Sequence, residues 1–181
     1  IAAGQARWED ELTVRDDLKS LPSGTMQDEP AGTTHTLRHV AEQMIAISDN
    51  TAADHLLAHL GRETVEASQA SLGHSDPTLN QPFLSTRELF VLKLVFDDAA
   101  VGRYLAADTA ERRRMLAEEV APLEPTIAQA AGWTSPRFID TLEWFASTED
   151  LCRAMAALHA LAAQPGLEPV AAILAVNPGI P

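Results

Sequence analysis

The chain has 181 residues, of which 46% are hydrophobic and only 5% aromatic; this is enough to bury one core of ordinary size and favours close-packed helices over a β-sandwich. A formal net charge of −13, from 26 acidic against 13 basic residues, predicts that the protein binds neither nucleic acid nor an anionic lipid surface. Every apolar stretch falls short of the roughly 20 residues that a membrane-spanning helix needs, so no membrane span is expected.

The first elements in chain order are a strand and a helix. Residues 8–19 alternate partly between apolar and polar positions, which is typical of a short strand or of one arm of a hairpin. A loop rich in Pro, Gly, Ser and Thr follows. Thr36 is then a good N-cap for a helix that runs to about Ile47, with its apolar residues on one face.

Two more helices are predicted directly afterwards. The second helix covers residues 51–60, with Thr51 and Asp54 related as in a capping box and Gly61 as its end. A third helix covers residues 63–71 and leads into a loop rich in Pro, Gly and Asn.

The second half of the chain repeats this helical pattern. Ser85 and Glu88 form a capping box for a strongly apolar helix that reaches Phe96, and Thr109 begins another helix that ends near residue 120. Prolines break the pattern between residues 122 and 140. A last helix begins at a second capping box, Ser147 with Asp150, and ends before Pro165-Gly166; the apolar run after it stops in a Pro/Gly turn.

These patterns predict a mainly α fold with seven or so helices and little sheet, forming a single helical lobe over residues 1–181. The chain begins at Ile1 without an initiator Met or a leader sequence. Both ends are expected to be cut from a longer polypeptide.

One polar trio, Ser48-Asp49-Asn50, stands between the first two predicted helices. Taken alone it is explained by structure, because all three residue types are favoured N-caps and turn formers. Its surroundings suggest a different explanation. The run from Trp8 to Leu60, which contains "AGTTHTLRHVAEQMIAISDNTAADHLL", resembles the helical lobe of class A β-lactamases and related penicillin-recognising serine hydrolases, whose signature motifs are S-x-x-K, S-D-N and K-T-G.

This resemblance implies a role for each member of the trio. Ser48 would relay a proton to the leaving nitrogen during acyl transfer to a serine nucleophile. Asn50 would hold both the lysine partner of the nucleophile and the acyl-amide side chain of the substrate, since an amide both donates and accepts. Asp49 would fix the turn through backbone hydrogen bonds.

A second match is "DPTLN", residues 76–80, which is similar to the E-P-x-L-N segment of the omega loop in class A enzymes. By that resemblance Asp76 would replace the Glu that activates the deacylating water, and Asn80 would help to hold this water. Asp is one methylene shorter than Glu, and the segment between Ser48 and Asp76 is shorter than is usual in the family. The alternative is that Asp76-Pro77 is a simple turn.

The other two signature motifs do not occur in these 181 residues. The only lysines are Lys19 and Lys93, and neither lies three positions after a serine; K-[ST]-G and K-G-G are also absent. In the family the nucleophile precedes S-D-N and the lysine triad follows it on a strand. The chain is therefore expected to carry the helical subdomain of an α+β fold, with most of the sheet subdomain outside it, and to be inactive alone.

Other polar and aromatic residues receive structural interpretations. The pairs His35/His39 and His55/His59 have the spacing of zinc ligands but lack the Glu of H-E-x-x-H, so no metal and no cofactor is predicted. These histidines are instead expected to be partly exposed polar positions. Cys152 is expected to be a small core residue of the last helix. The aromatic residues Trp133, Trp144 and Phe145 are expected to fill the core, with a ligand groove as the alternative.

The residues and the resemblance together predict part of a β-lactamase-like serine hydrolase. Its substrate would be a β-lactam or a related amide or ester, and its partner would be the sheet subdomain of the parent enzyme. Two alternatives stay open: a penicillin-binding or esterase-type protein with slow deacylation, and a non-catalytic helical interaction module. The later segments are similar to a divergent branch that includes a protein of clavulanic acid biosynthesis, and the resemblance implies export from the cytoplasm.

Overall fold

A computed structural model describes residues 6–132 and 134–176, and within these residues the chain is mainly helical, as predicted. The α-helices are α1 (Leu37–Ala46), α2 (Asn50–Leu60), α3 (Arg62–Ser71), α4 (Thr86–Leu94), α5 (Asp98–Ala106), α6 (Thr109–Met115), α7 (Ile127–Ala131), α8 (Thr148–Ala162) and α9 (Pro169–Ala175). Short 3₁₀ helices cover Asp16–Leu18, Met26–Asp28 and Pro77–Asn80, and a π-helical turn, Leu116–Val120, continues α6.

The sheet of the described residues is a two-stranded antiparallel hairpin. Strand β1 (Glu11–Thr13) pairs with β2 (Thr34–Thr36) in a register that places Leu12 opposite His35. This confirms the strand predicted within residues 8–19. The loop between the two strands contains the segment that contacts the S-D-N turn.

Helix caps follow the sequence signals at three of four predicted positions. The Thr36 hydroxyl accepts a hydrogen bond at the start of α1, and complete capping boxes begin α4 at Ser85 and α8 at Ser147. The prediction for α2 was wrong: its N-cap is Asp49, whose carboxylate accepts from Ala52 N. Thr51 is buried and its hydroxyl is bonded to Ser20 instead, so it does not act as a cap.

Three helices, α5, α7 and α9, were not predicted from the sequence. Helix α5 begins at Asp97, which accepts from Ala100 N, a single cap without the second acidic partner that marks a capping box. Helix α9 begins with Pro169 at its first turn and occupies the apolar run to which the sequence patterns assigned no helix. Helix α7 begins at a capping box, Thr126 with Gln129, in the segment where prolines break the helical pattern. All three helices are short, so their apolar periodicity extends over two turns or less.

Apolar packing divides into two clusters of buried residues. The first belongs to α4, α5 and α6 with the loops around them and contains Leu84, Leu89, Val91, Leu92, Val101, Tyr104, Met115, Leu116, Val120 and Leu142. The second joins the hairpin to α1 and α2 and contains Val14, Met26, Leu37, Val40, Ala52 and Leu56. Buried polar side chains of α2 bond to the start of α4.

The surface of α8 differs from the prediction for Cys152. In this helix only Asp150 is buried, and Cys152 is exposed together with Leu151 and Met155. Cys152 is therefore a surface residue of α8 and not a core residue. Within residues 6–132 and 134–176, no helix is both long and apolar enough to cross a bilayer.

Candidate functional site

The S-D-N turn joins α1 to α2 through an unusual backbone conformation at Ser48. Helix α1 is followed by Ile47 as its C-cap, and Ser48 has a φ of 55°, the left-handed region that residues with a Cβ rarely adopt. Ser48 is exposed, and its hydroxyl has no hydrogen-bond partner among the described residues. The turn thus presents the Ser48 hydroxyl to solvent from a constrained backbone.

Asp49 fixes this turn, as the sequence analysis predicted. It is 1% exposed, and its carboxylate accepts three backbone hydrogen bonds: from Ala52 N at 2.9 Å, from Thr25 N at 2.7 Å and from Met26 N at 3.0 Å. The first bond caps α2, and the other two attach the loop between the strands. One carboxylate therefore holds the S-D-N turn against the segment that precedes it in the chain.

Asn50 makes a second attachment to the same loop. Its backbone N–H donates to Ser23 O at 3.0 Å, and its side-chain Nδ2 donates to Leu21 O at 2.9 Å. Among the described residues, no hydrogen bond reaches Oδ1 of Asn50. The amide is oriented by its nitrogen and keeps its oxygen available as an acceptor.

A network of buried polar groups joins α2 to α4. The Asp54 carboxylate accepts from Thr86 N and Thr86 Oγ1, both at 2.7 Å, and from Arg87 N at 2.9 Å. Thr86 Oγ1 also contacts Ser20 Oγ at 2.9 Å. Burial raises the pKa of Asp54 to about 6, although the bonds from Arg87 and Thr86 oppose this rise. The sequence pattern assigned Asp54 to the cap of its own helix, whereas it bonds to the start of the neighbouring one.

His55 is a structural residue of α2 and not a metal ligand. Its Nδ1 lies 2.7 Å from Thr51 O, which can only accept, and its Nε2 accepts from Arg15 N at 2.9 Å. The ring is therefore the neutral Nδ1–H tautomer, fully bonded and 3% exposed. The prediction of a partly exposed position was wrong for His55. Burial lowers its pKa, because the charged ring would lose water and face the Arg15 N–H.

The buried, neutral His55 makes the free energy of unfolding depend on pH, and the substitution His55→Gln should remove this dependence. Below about pH 6.5 the histidine of the unfolded chain is protonated, whereas in the folded protein the lowered pKa of His55 keeps the ring neutral. The free energy of unfolding therefore falls as the pH drops. Asp54 has the opposite effect: its contribution to the free energy of unfolding is present at low pH and is lost as the pH rises through about 6. Because Asp54 is present in both the wild type and His55→Gln, its effect cancels when the two are compared.

The wild-type advantage over His55→Gln should therefore shrink between pH 7 and pH 5 in urea titrations. The variant His59→Gln introduces the same residue at an exposed position of α2 and controls for helix propensity. An advantage that stays constant over this range would contradict the neutral, bonded His55.

The second candidate pair, Asp76 and Asn80, brackets a 3₁₀ turn. Asp76 is exposed, and its Oδ1 accepts from the backbone and the hydroxyl of Thr78. Asn80 is 6% exposed and bonds to the backbone of Phe145 in both directions, accepting from N at 2.7 Å and donating to O at 2.9 Å. Asn80 also donates to Gln69 Oε1 at 2.7 Å. The turn is thus attached to α3 and to the segment before α8.

The two pairs have separate hydrogen-bond partners in the described part of the chain. Ser48 and Asn50 belong to a turn held by residues 20–26, while Asp76 and Asn80 belong to a turn held by α3 and residues 145–150. No hydrogen bond among the described residues joins one pair to the other. The predicted site residues therefore form two separate turns, each with its own support.

An apolar groove of about 340 Å³ opens between α2, α3 and the loop before α4. Its walls are formed by Met44, Ala53, Leu56, Leu57, Leu60, Val65, Phe83, Leu84 and Trp144, with Asp54 and Thr86. Trp144 is 38% exposed and its Nε1 donates to Leu84 O at 3.0 Å. Trp144 is therefore a groove residue and not a core residue, while Trp133 lies outside the described residues.

Potential metal ligands are dispersed. His35 lies in β2 before the first helix, stacks on His39 and pairs with Glu29 at 2.6 Å. Within the described ranges, no group of three or more His, Cys, Asp or Glu side chains is arranged to hold a metal ion. The His35/His39 pair has a structural explanation in the ring stack and the carboxylate.

Comparison with known proteins identifies the family of this chain. The family model described as the β-lactamase enzyme family matches residues 1–161. The chain therefore belongs to the β-lactamase enzyme family, in agreement with the resemblance to penicillin-recognising serine hydrolases. No curated protein is significantly similar to the chain.

Three solved structures are similar to parts of the chain. A β-lactamase from Sphaerobacter thermophilus DSM 20745 is 33% identical over 41% of this chain and 28% of its own, with a TM-score of 0.39. PBP-A is 26% identical over 58% of this chain and 45% of its own, with a TM-score of 0.40. The L158E mutant of PBP-A, solved as an acyl-enzyme complex with penicillin G, is 22% identical over 58% and 46%, with a TM-score of 0.39. The chain thus covers less than half of each of these structures.

Proposed function

We propose that this chain supplies the S-D-N element of a serine hydrolase that attacks β-lactams, or related amides or esters, through an acyl-serine intermediate. Ser48 carries a proton to the leaving nitrogen, and Oδ1 of Asn50 accepts from the lysine beside the nucleophile. The nucleophile and the K-[STG]-G strand belong to the parts of the parent enzyme that complete the cleft, including its sheet subdomain.

One observation carries this proposal: the turn between α1 and α2 leaves the Ser48 hydroxyl and the Asn50 carbonyl oxygen without partners among the described residues, while the groups beside them are bonded. Asp49 uses its carboxylate for three backbone N–H groups, and Asn50 uses its Nδ2 for Leu21 O. Family membership supports the same chemistry.

The test begins with the complete gene and its product. Translation should give S-x-x-K before Ser48 and K-[STG]-G after the present chain, and the purified product should form a covalent adduct with a fluorescent penicillin, detected by mass spectrometry. The isolated 181 residues should form none, because they contain neither motif. A complete gene without S-x-x-K would overturn the proposal and favour the non-catalytic interaction module.

Ser48→Ala in the complete gene product should slow acylation by a chromogenic cephalosporin about a hundredfold, the lower end of what a positioned proton carrier contributes. Ser48 is exposed and its hydroxyl is unbonded within the described residues, so the urea midpoint should stay unchanged. Ser71→Ala, at another exposed serine, is the matched control and should leave both quantities unchanged. Equal acylation rates in both variants would remove Ser48 from the mechanism.

A penicillin-binding or esterase activity with slow deacylation is the second candidate. It is favoured by Asp76, whose short carboxylate is bonded to Thr78 within its own turn, while Asn80 bonds to Gln69 and Phe145 instead. Because Oδ1 of Asp76 is bonded to Thr78, Asp76 would have to reach the water through Oδ2, and the amide of Asn80 is already used in its own bonds. An acyl-enzyme that persists for hours would distinguish this candidate from a β-lactamase that turns over rapidly.

A further inference from the structure

The loop that carries Asp76 and Asn80 is attached to the start of α8 by a buried carboxylate. Asp150 is 3% exposed, although no other residue of α8 is buried. Its Oδ1 accepts from Ser75 N at 2.8 Å, and its Oδ2 accepts from Ser75 Oγ at 3.1 Å and from Ser147 N at 2.8 Å. Asp150 therefore closes the capping box of its own helix and holds the residue next to Asp76.

Neighbouring contacts reinforce this attachment on both sides of Asp76. Arg153 pairs with Asp150 at 2.9 Å and donates to Gly73 O at 2.8 Å. His74 Nε2 lies 2.6 Å from Phe145 O, so it donates there, while His74 Nδ1 accepts from Asp76 N at 3.1 Å. Together with the Asn80 bonds to Phe145, these contacts tie residues 73–75 and residue 80 to one segment, residues 145–153.

The residues directly before that segment, 142–144, are fixed to the first apolar cluster. Leu142 is 3% exposed within the cluster, Glu143 forms an ion pair with the buried Lys93, and Trp144 donates to Leu84 O at 3.0 Å. The loop of Asp76 is therefore connected through residues 145–153 to the first apolar cluster.

The charge state of Asp150 suits this role. The backbone and side-chain bonds from Ser147, Arg153 and Ser75 hold the pKa of Asp150 well below its usual range. The carboxylate is thus ionised, and acts as a permanent acceptor, at every pH at which the protein would be assayed.

We infer that Asp150 is a positioning residue for water-driven deacylation: through Ser75 it sets where the Asp76 carboxylate stands. This inference rests on the proposed function and on Asp76 as the base of its deacylation step. In that step the carboxylate accepts a proton from water as the water oxygen adds to the ester carbonyl. The ester C–O bond then breaks, and the serine oxygen leaves with a proton returned to it. Misplacement of the base by about 1 Å slows such a step by as much as roughly 10²-fold.

The test compares Asp150→Ala with Ser147→Ala in the complete gene product. Both substitutions damage the cap of α8, but only the first releases Ser75. Two quantities are measured on each protein: native-state hydrogen exchange of the amides in residues 74–81, and the acylation and deacylation rate constants with penicillin G. Ser75→Ala, which removes only the hydroxyl bond, is a milder variant in case Asp150→Ala does not fold.

For Asp150→Ala we expect exchange at Ser75 and the following amides to accelerate, and deacylation to slow about tenfold or more, while acylation changes less than about twofold. Ser75→Ala should slow deacylation by a smaller factor. Ser147→Ala should leave exchange in the loop and both rate constants near the wild-type values.

Two results would overturn the inference. Unchanged exchange in the loop excludes the attachment, and faster exchange with unchanged deacylation excludes the positioning role. If the unmodified protein forms no acyl-enzyme, the proposed function fails and the positioning role fails with it, but hydrogen exchange still decides whether Asp150 holds the loop.

Discussion

Asp49→Ala should lower the free energy of unfolding by about 3 to 5 kcal/mol, because each buried donor left unpaired costs about 1 to 3 kcal/mol and these costs are only partly additive. The substitution strands the N–H groups of Thr25, Met26 and Ala52 in a site where the native side chain is 1% exposed. It also detaches the loop before α1 from the start of α2. Urea unfolding monitored by circular dichroism would measure the loss.

Asp108→Ala is the matched control for this prediction. Asp108 is also the N-cap of a helix and accepts from Glu111 N at 2.8 Å, but it is exposed and its carboxylate serves only its own helix among the described residues. Its removal should cost about 1 kcal/mol, the usual value of an N-cap. If Asp49→Ala cost no more than Asp108→Ala, the two bonds to residues 25 and 26 would contribute nothing, and Asp49 would be an ordinary cap.

Gly24→Ala should lower the free energy of unfolding by about 4 kcal/mol or prevent folding. Two costs add together here: overpacking by the new Cβ and a left-handed backbone forced on a residue with a side chain. Gly24 has a φ of 107°, a conformation that an L side chain rarely adopts. A Cβ at this position would stand 2.6 Å from Oδ1 of Asp49 and nearer still to its Cγ. The buried carboxylate cannot move away without losing its three backbone bonds.

Two further variants separate these causes. Gly102→Ala lies within α5 with open space around the added Cβ, so it should stabilise the protein by up to about 1 kcal/mol. In the Asp49→Ala background the overlap is gone, and Gly24→Ala should then cost only the backbone strain, about 1 to 2 kcal/mol. If its cost were the same in both backgrounds, close packing against Asp49 would not be the reason for the glycine.

These two residues connect stability to the proposed chemistry. Asp49 fixes the S-D-N turn through the N–H groups of Thr25 and Met26, and Gly24 leaves room for its carboxylate. Ser48 and Asn50 are therefore placed by groups that take no part in the proposed acyl transfer. A variant that loosens this contact should therefore lose activity together with stability. Ser48→Ala should lose activity but keep its stability. Loss of both quantities therefore marks a residue that supports the turn, and loss of activity alone marks a residue that takes part in the reaction.

Local features of the fold could be predicted from the order of residues. Thr36, Ser85 and Ser147 were identified as helix starts because a cap is a contact between residues three positions apart, and such contacts are visible in the order of residues. The mainly α fold, the hairpin arm and the family followed from periodicity and from the motif around Ser48. The role of Asp49 in the turn was also predicted.

Which distant groups a side chain bonds to depends on the packing of segments, and this was not visible in the order of residues. Asp54 and Asp150 both looked like caps of their own helices, yet Asp54 bonds to the start of α4 and Asp150 also holds Ser75, 75 positions away. His55 looked exposed but is buried against Arg15, and Cys152 looked buried but is exposed. A carboxylate has several acceptor sites, and sequence patterns account only for those used within one helical turn. The partners of the remaining sites are chosen by packing between segments far apart in the chain.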